Sequence, residues 1–413
     1  MLWERRLPSR RPAIAPEAHT SRKSGDESAL RPRRAAGEWY ASGACEDGDR
    51  NVRRSQRALR DTSQPDCASF FAAAFPFSRM AEIVCFGEVM LRLTTPHFST
   101  LADAQSLDLA FGGAEANVAV QLAQFGRHAA FVSRLPENGI GDRCIADLRG
   151  RGVDTGAVLR GGSRIGVYFL EPGVGQRPGK VSYDRQHSAI SEMKPGMVDW
   201  DAVLDGAKWF HWSGITPALG AGCAALCAEA CEVAKQRGIT VSFDVNYRSK
   251  LWSREAAAAT LRPLMRNVDV CIAGESDAVD ILGVAQQSGD EEDRLPATAR
   301  VLAQRHGFRT VAMSCRAGDS ATQTTFRGMI HSGGASAFSR RHEITVVDRV
   351  GAGDSFTGGL IHALMRGDEP ARAIEFAAAT AAWKHTIHGD WNRGTVAEIE
   401  SLAGGTGGGR IGR

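Results

Sequence analysis

From Met80 onward, short apolar runs of strand length alternate with stretches of helical period, and this alternation leaves few folds open. The runs EIVCFGEV, AAFVSRL, WFHWSGI, TVSFDVN, VDVCIAG and TVAMSC read as buried strands. Between them, residues 115–125, 220–236, 297–306 and 354–366 repeat apolar side chains at helical spacing. Such alternation predicts an α/β fold with a mainly parallel central sheet covered on both faces. Sheets of this kind place their ligands beyond the carboxyl ends of the strands. Two segments break the pattern: LRLTTPHF with LDLAFGG (91–113), and RIGVYFLEPG with KVSYDRQHS (164–188). Their period of two predicts strand pairs forming a small β-layer that projects from the main sheet as a lid.

The 413 residues are 43% hydrophobic and 23% charged, the balance of a soluble globular protein. The net charge of +3 is uneven: basic residues outnumber acidic ones in residues 1–79, and the remainder is slightly acidic. No partner of nucleic acid is therefore expected for the folded part. Residues 1–79 show no sustained period and read as a disordered Arg-rich leader or a start site placed too early. They do not read as a secretory signal, because no apolar stretch follows the first arginines. The folded domain is expected over residues 80–404, with 405–413 a flexible Gly-rich tail. Cys223, Cys227 and Cys231 fall on one helical stripe, which reads as small buried side chains and a cytoplasmic setting rather than a metal site. No run of 18 apolar residues is present, so no membrane partner is expected.

VDRVGAGDSFTGGL (347–360) sits between a strand signal, HEITVVD, and a helix whose apolar face carries Phe356, Leu360, Ile361 and Leu364. Gly351-Ala352-Gly353 is thus a strand-to-helix turn, with Asp354 at the helix start. Asp354 there reads either as an N-cap or as a base beside an anion hole built from N–H groups at the positive helix end. No G-x₄-G-K-[ST] loop occurs, and Phe356 occupies the place of the third glycine in a dinucleotide fingerprint. FGGAEANVAVQLAQFG (111–126) similarly turns at Gly112-Gly113 into a helix, with Glu115 and Asn117 near the expected mouth of the site.

Taken together, GGAEANVAVQLAQFG and DRVGAGDSFTGGL resemble the two signature regions of the ribokinase-like (PfkB) carbohydrate kinases, in the family's order. The resemblance covers residues 80 to about 404. It implies a three-layer core with a β-lid and phosphoryl transfer from ATP to a sugar hydroxyl, with Mg²⁺ and a monovalent cation as cofactors. Asp354 would be the base, and the N–H groups of Gly351, Ala352 and Gly353 the anion hole. GVYFLEPG, YDRQHSAIS, HWSGITPAL and DVNYRSKLW look like 2-keto-3-deoxygluconate kinases in particular. A sugar acid needs a forked cation for its carboxylate. Arg185 and Arg248 suit that role, with Tyr168, Tyr183, Gly112, Gly113 and Asn117 as further substrate contacts. Ser314 and Gly318 lie in AMSCRAGDS (312–320), where the family has its Thr-Leu-Gly-like nucleotide turn. Residues 378–390 look like the family's C-terminal helix, near where adenine is expected.

Two departures stand out. AMSCRAGDS is one. The other is CIAGESDAVDIL, where Gly274 occupies the Asn position of the family's N-x-x-E element. Metal handling would then rest on Glu275 and Asp277. Exposed lid strands in such folds pair with a neighbour, so a homo-oligomer, a dimer, is expected. Three other readings stay open: a related kinase for fructose, ribose or a nucleoside; a sugar-binding homologue without catalysis; and nucleic-acid binding through residues 1–79, which would be salt-sensitive.

Overall fold

A computed structural model of the chain describes residues 80–405. The expected leader at 1–79, and all but Gly405 of the expected tail, lie outside them. The described residues form fourteen strands: β1 (Ile83–Phe86), β2 (Met90–Thr94), β3 (Asp108–Gly112), β4 (Ala129–Leu135), β5 (Val158–Arg160), β6 (Val167–Glu171), β7 (Lys180–Asp184), β8 (Trp209–Ser213), β9 (Thr240–Asp244), β10 (Val270–Ala273), β11 (Thr310–Ala317), β12 (Gln323–Ser332), β13 (Ala335–Phe338) and β14 (His342–Thr345). Ten of them make the central sheet, in the order β13-β12-β11-β10-β9-β8-β1-β4-β5, with β14 also paired to β12. The pairs from β5 to β11 are parallel, and β12 to β14 add an antiparallel edge.

The near-continuous apolar strands are explained by burial on both faces. In β1, Ile83 and Cys85 pack into one core with the helices Ala114–Gln124, Ala352–Arg366 and Pro370–Lys384. Val84 and Phe86 pack into the opposite core with Ala221–Gln236, Arg254–Leu261 and Glu291–His306. Cys223, Cys227 and Cys231 are buried in that second core as free thiols. The expected helix at 297–306 starts earlier, at Glu291. Asp290 caps it by accepting from Asp293 N at 3.1 Å, and Pro296 lies inside it. The antiparallel edge was readable only at HEIT, because β12 mixes polar and apolar residues without a clean period.

The lid is a separate sheet in the order β3-β2-β6-β7. Its two hairpin-like pairs are antiparallel, and β2 joins β6 in parallel. Its small core is Met90, Tyr168 and Leu170, while most of β7 is exposed. Arg92 of β2 ties the lid to the main body. Its guanidinium donates to Asp348 Oδ2 at 2.5 Å and to Asp390 Oδ1 at 2.6 Å, with all three side chains nearly buried. Among the described residues no helix is long and apolar enough to cross a membrane.

Candidate active site

A cleft of about 520 Å³ opens between the lid and the carboxyl ends of β9, β10 and β11, where a parallel sheet is expected to hold its ligand. Its floor is the turn leading into helix Ala352–Arg366. Gly351 is the N-cap of that helix and has φ +83°. A side chain there would be strained, and a β-carbon would stand 2.1 Å from Asp390 O, so only glycine fits. The turn leaves N–H groups free. Among the described residues those of Gly351 and Gly353 find no acceptor, and that of Ala352 has only Arg349 O at 3.4 Å. First-turn N–H groups without partners at a helix N-terminus attract an anion.

Asp354 is not the cap of this helix. It is the third helical residue, and its Oδ2 accepts from Asn117 Nδ2 at 2.7 Å. Burial pushes its carboxyl above the ordinary range, with Asp390 adding to this; Asn117, Arg248 and Arg316 work against the rise. An acid raised in this way, beside an anion hole, has the properties of a proton acceptor. Asn117 also reaches Asp390 Oδ2 at 3.4 Å, and its own Oδ1 accepts from Gly113 N at 3.3 Å. Gly112 is required because a β-carbon would meet Asp390 Oδ2 at 2.1 Å.

The cleft brings together Gly113, Asn117, Tyr168, Tyr183, Arg185, Arg248, Asp277, Ser314, Gly351, Gly353 and Asp354. Tyr168 and Tyr183 face each other across β6 and β7, with ring centroids 6.0 Å apart. Tyr168 is buried and donates to Asp390 Oδ1 at 2.6 Å, whereas Tyr183 is exposed to the cleft. The two arginines differ. Arg185 is buried and paired with Glu88. Arg248 is exposed and, among the described residues, its guanidinium has no hydrogen bond or ion pair. Gly318 instead lines an adjoining cavity of about 560 Å³, together with Asp319, Ser320 and His388; Arg349 and Val350 line both spaces.

Two expectations need correction. Glu275 faces away from the cleft: its Oε1 accepts from Arg294 Nε at 2.5 Å and Gln286 Nε2 at 3.0 Å. It begins the helix Glu275–Asp280, on which positions two apart lie about 200° around the axis, so only Asp277 turns inward. Glu115 is not at the mouth. It is wholly buried, and its Oε1 accepts from Ser213 N, Ser213 Oγ and Thr216 Oγ1 at 3.0, 2.7 and 2.7 Å. Among the described residues no group of three or more His, Cys, Asp or Glu could hold a metal. Asp277 and Asp244 both line the cleft, which suits Mg²⁺ arriving with phosphates, since that ion takes few protein carboxylates. Burial pushes the Asp244 carboxyl up to about 7, helped by Asp354 and Asp277.

Asp390, Arg92, Asp348, Asp244 and Arg316 were missed from the sequence. For Asp390 the available signal was its place in HGDWNRG, a polar loop directly after an Ala-rich helix.

A lidded parallel sheet with an acid beside open N–H groups is the architecture of a sugar-phosphorylating enzyme. The model of the pfkB family of carbohydrate kinases matches residues 80–392, and the chain belongs to that family. It is therefore a phosphotransferase with an alcohol group as acceptor. The 2-dehydro-3-deoxygalactonokinase of Haloferax volcanii is 37% identical over 322 residues, covering 78% of this chain and 96% of that protein. The 2-dehydro-3-deoxygluconokinase of Thermoproteus tenax is 28% identical over 321 residues, covering 76% and 91%. The crystal structure of 2-dehydro-3-deoxygluconokinase from Thermotoga maritima is 46% identical and superposes with a TM-score of 0.77, covering 79% of this chain and 99% of that one. The ribokinase-like core and β-lid expected from the sequence are those observed.

Proposed function

We propose that the chain is an ATP-dependent sugar-acid kinase that phosphorylates the terminal hydroxyl of 2-keto-3-deoxygluconate, giving the 6-phosphate. The observation that carries this reading is the placement of Asp354 beside the unpaired N–H groups of Gly351 and Gly353, in a cleft whose exposed Arg248 awaits an anion. The substrate carboxylate is held by Arg248, while Arg185, neutralised by its ion pair with Glu88, lines the same cleft. Tyr183 covers the sugar with ring surface. The far hydroxyl then lies near Asp354, which accepts its proton as the γ-phosphoryl group moves in line. The N–H groups of the Gly351–Gly353 turn stabilise charge that develops on the transferring group. Asp277 and Asp244 are the groups that would hold Mg²⁺, which when bound neutralises charge on the β- and γ-phosphate oxygens. The nucleotide runs over Ser314 toward Gly318 and His388.

The 4-epimer, 2-keto-3-deoxygalactonate, is the second reading, favoured by the name of the Haloferax relative. ADP release with both epimers, fructose and ribose tests the proposal. The sugar acids should lead, and Arg248→Ala should weaken them by about 10–10²-fold in kcat/KM, the loss expected when a hydrogen-bonded contact to a charged group is removed. Equal turnover of fructose or ribose by the wild type would contradict it.

A further inference from the structure

Resting on the reading of this cleft as a phosphoryl-transfer site, we infer that Arg316 is the cation that binds the γ-phosphoryl group of the nucleotide during its transfer. Arg316 lies near the end of β11 and lines the cleft, in the stretch where the sequence departs from the family's turn. A β-carbon on Gly353 would stand 3.4 Å from Arg316 Nη2, so the guanidinium sits beside the open N–H groups of the turn. It is steered there by an aromatic support. Its guanidinium carbon is 5.5 Å from the centroid of Phe326, a buried ring that packs edge-on against Phe356 of the helix carrying Asp354.

Among the described residues Arg316, like Arg248, differs from the other arginines around the cleft in having no hydrogen bond or ion pair on its guanidinium. Arg92 is held by Asp348 and Asp390, and Arg185 by Glu88. Arg349 donates to Ala321 O and Ser320 O at 3.0 and 2.5 Å and so shapes the neighbouring turn. Of the charges that bear on the Arg316 guanidinium Asp354 is the largest, followed by the cations Arg349 and Arg248 and then by Asp244. A sugar acid brings a single charge, which Arg248 answers on the acceptor side. A second unpaired guanidinium, beside the open N–H groups of Gly351 and Gly353, is matched by a triphosphate. In the transfer, the bond from the γ-phosphorus to the β–γ bridging oxygen breaks and a bond to the sugar oxygen forms. The hydroxyl proton passes to Asp354, and ADP leaves with the bridging oxygen. Arg316 bears on the equatorial oxygens of the moving group throughout and is not itself altered.

The test compares wild type, Arg316→Ala and Arg316→Lys in two measurements. Equilibrium titrations without sugar read affinity for the β,γ-imido analogue of ATP and for ADP. Steady-state turnover with a sugar acid reads kcat and each KM. The account expects Arg316→Ala to lose at least about tenfold in analogue affinity while ADP binding is kept, and to lose about 10²–10³-fold in kcat, with Arg316→Lys between. Retained ADP binding also shows that the variant is folded; should the alanine variant not fold, Arg316→Gln is read in its place. Equal loss of analogue and ADP would overturn the assignment. So would a raised KM for the sugar acid with analogue affinity intact, which would place Arg316 on the acceptor. Because the contrast between analogue and ADP is read without sugar, it stands or falls apart from the sugar-acid assignment.

Discussion

The helices Ala114–Gln124 and Ala352–Arg366 each begin behind a glycine N-cap that supplies no side-chain hydrogen bond, and each carries one acid in its first turn. In the first helix that acid, Glu115, is sealed in the core and spends its Oε1 on Ser213 and Thr216. In the second, Asp354 faces a cleft, is held by a single amide at 2.7 Å, and stands beside N–H groups with no acceptor. Burial raises both carboxyls. The difference therefore does not lie in glycine or in acidity. It lies in what surrounds the carboxylate: three donors that lock one acid into packing, and an open space that leaves the other able to take a proton. The two helices meet through Asn117, which grows from the first and holds the acid of the second.

The comparison can be broken most severely at Gly351. Gly351→Ala places a β-carbon against Asp390 O at a backbone of φ +83°. The turn must shift, and a displacement of about 1 Å at a reacting centre costs about 10²-fold. Steady-state kinetics should show turnover reduced by at least that factor. An alanine variant of near-normal kcat would mean that the turn does not position the chemistry. Next comes Glu115→Ala, which leaves the buried N–H and hydroxyl of Ser213 without an acceptor and Thr216 Oγ1 with only Phe86 O at 3.3 Å. Chemical denaturation should find it about 2–3 kcal/mol less stable, with turnover per folded molecule near that of wild type. A selective loss of kcat would place Glu115 in the chemistry after all. The smallest effect is expected from Asn117→Ala. The bond from Asn117 lowers the Asp354 pKa, so its removal raises that pKa further. A base is active when deprotonated, so the acidic limb of kcat/KM against pH should move to higher pH. An unmoved limb would show that another group sets it.

Much of this fold was legible in the sequence because both-face burial writes itself as unbroken apolar runs, as in IVCF of β1 and VCIA of β10. The lid was legible from its period of two. The strand β12 was not, since QTTFRGMIHS lies at an antiparallel edge where burial is mixed. At the site, the glycine turns and Asp354 were visible as local chemistry. Asp390 was not: it serves the site only because folding brings it to Arg92, Asn117 and Tyr168, at sequence separations of 298, 273 and 222 residues. Glu275 failed for the opposite reason. The resemblance, with Gly274 in the place of the motif's Asn, suggested a metal ligand, but the side chain is engaged by Arg294.

The most direct test of the account is turnover and binding by Asp354→Asn. The substitution keeps shape and removes the proton acceptor. ADP release with 2-keto-3-deoxygluconate should fall by about 10²–10⁴-fold, while calorimetric titration finds the sugar acid bound as by wild type. A variant that binds the sugar acid and still turns over at a near-normal rate would contradict the assignment of Asp354 as the base.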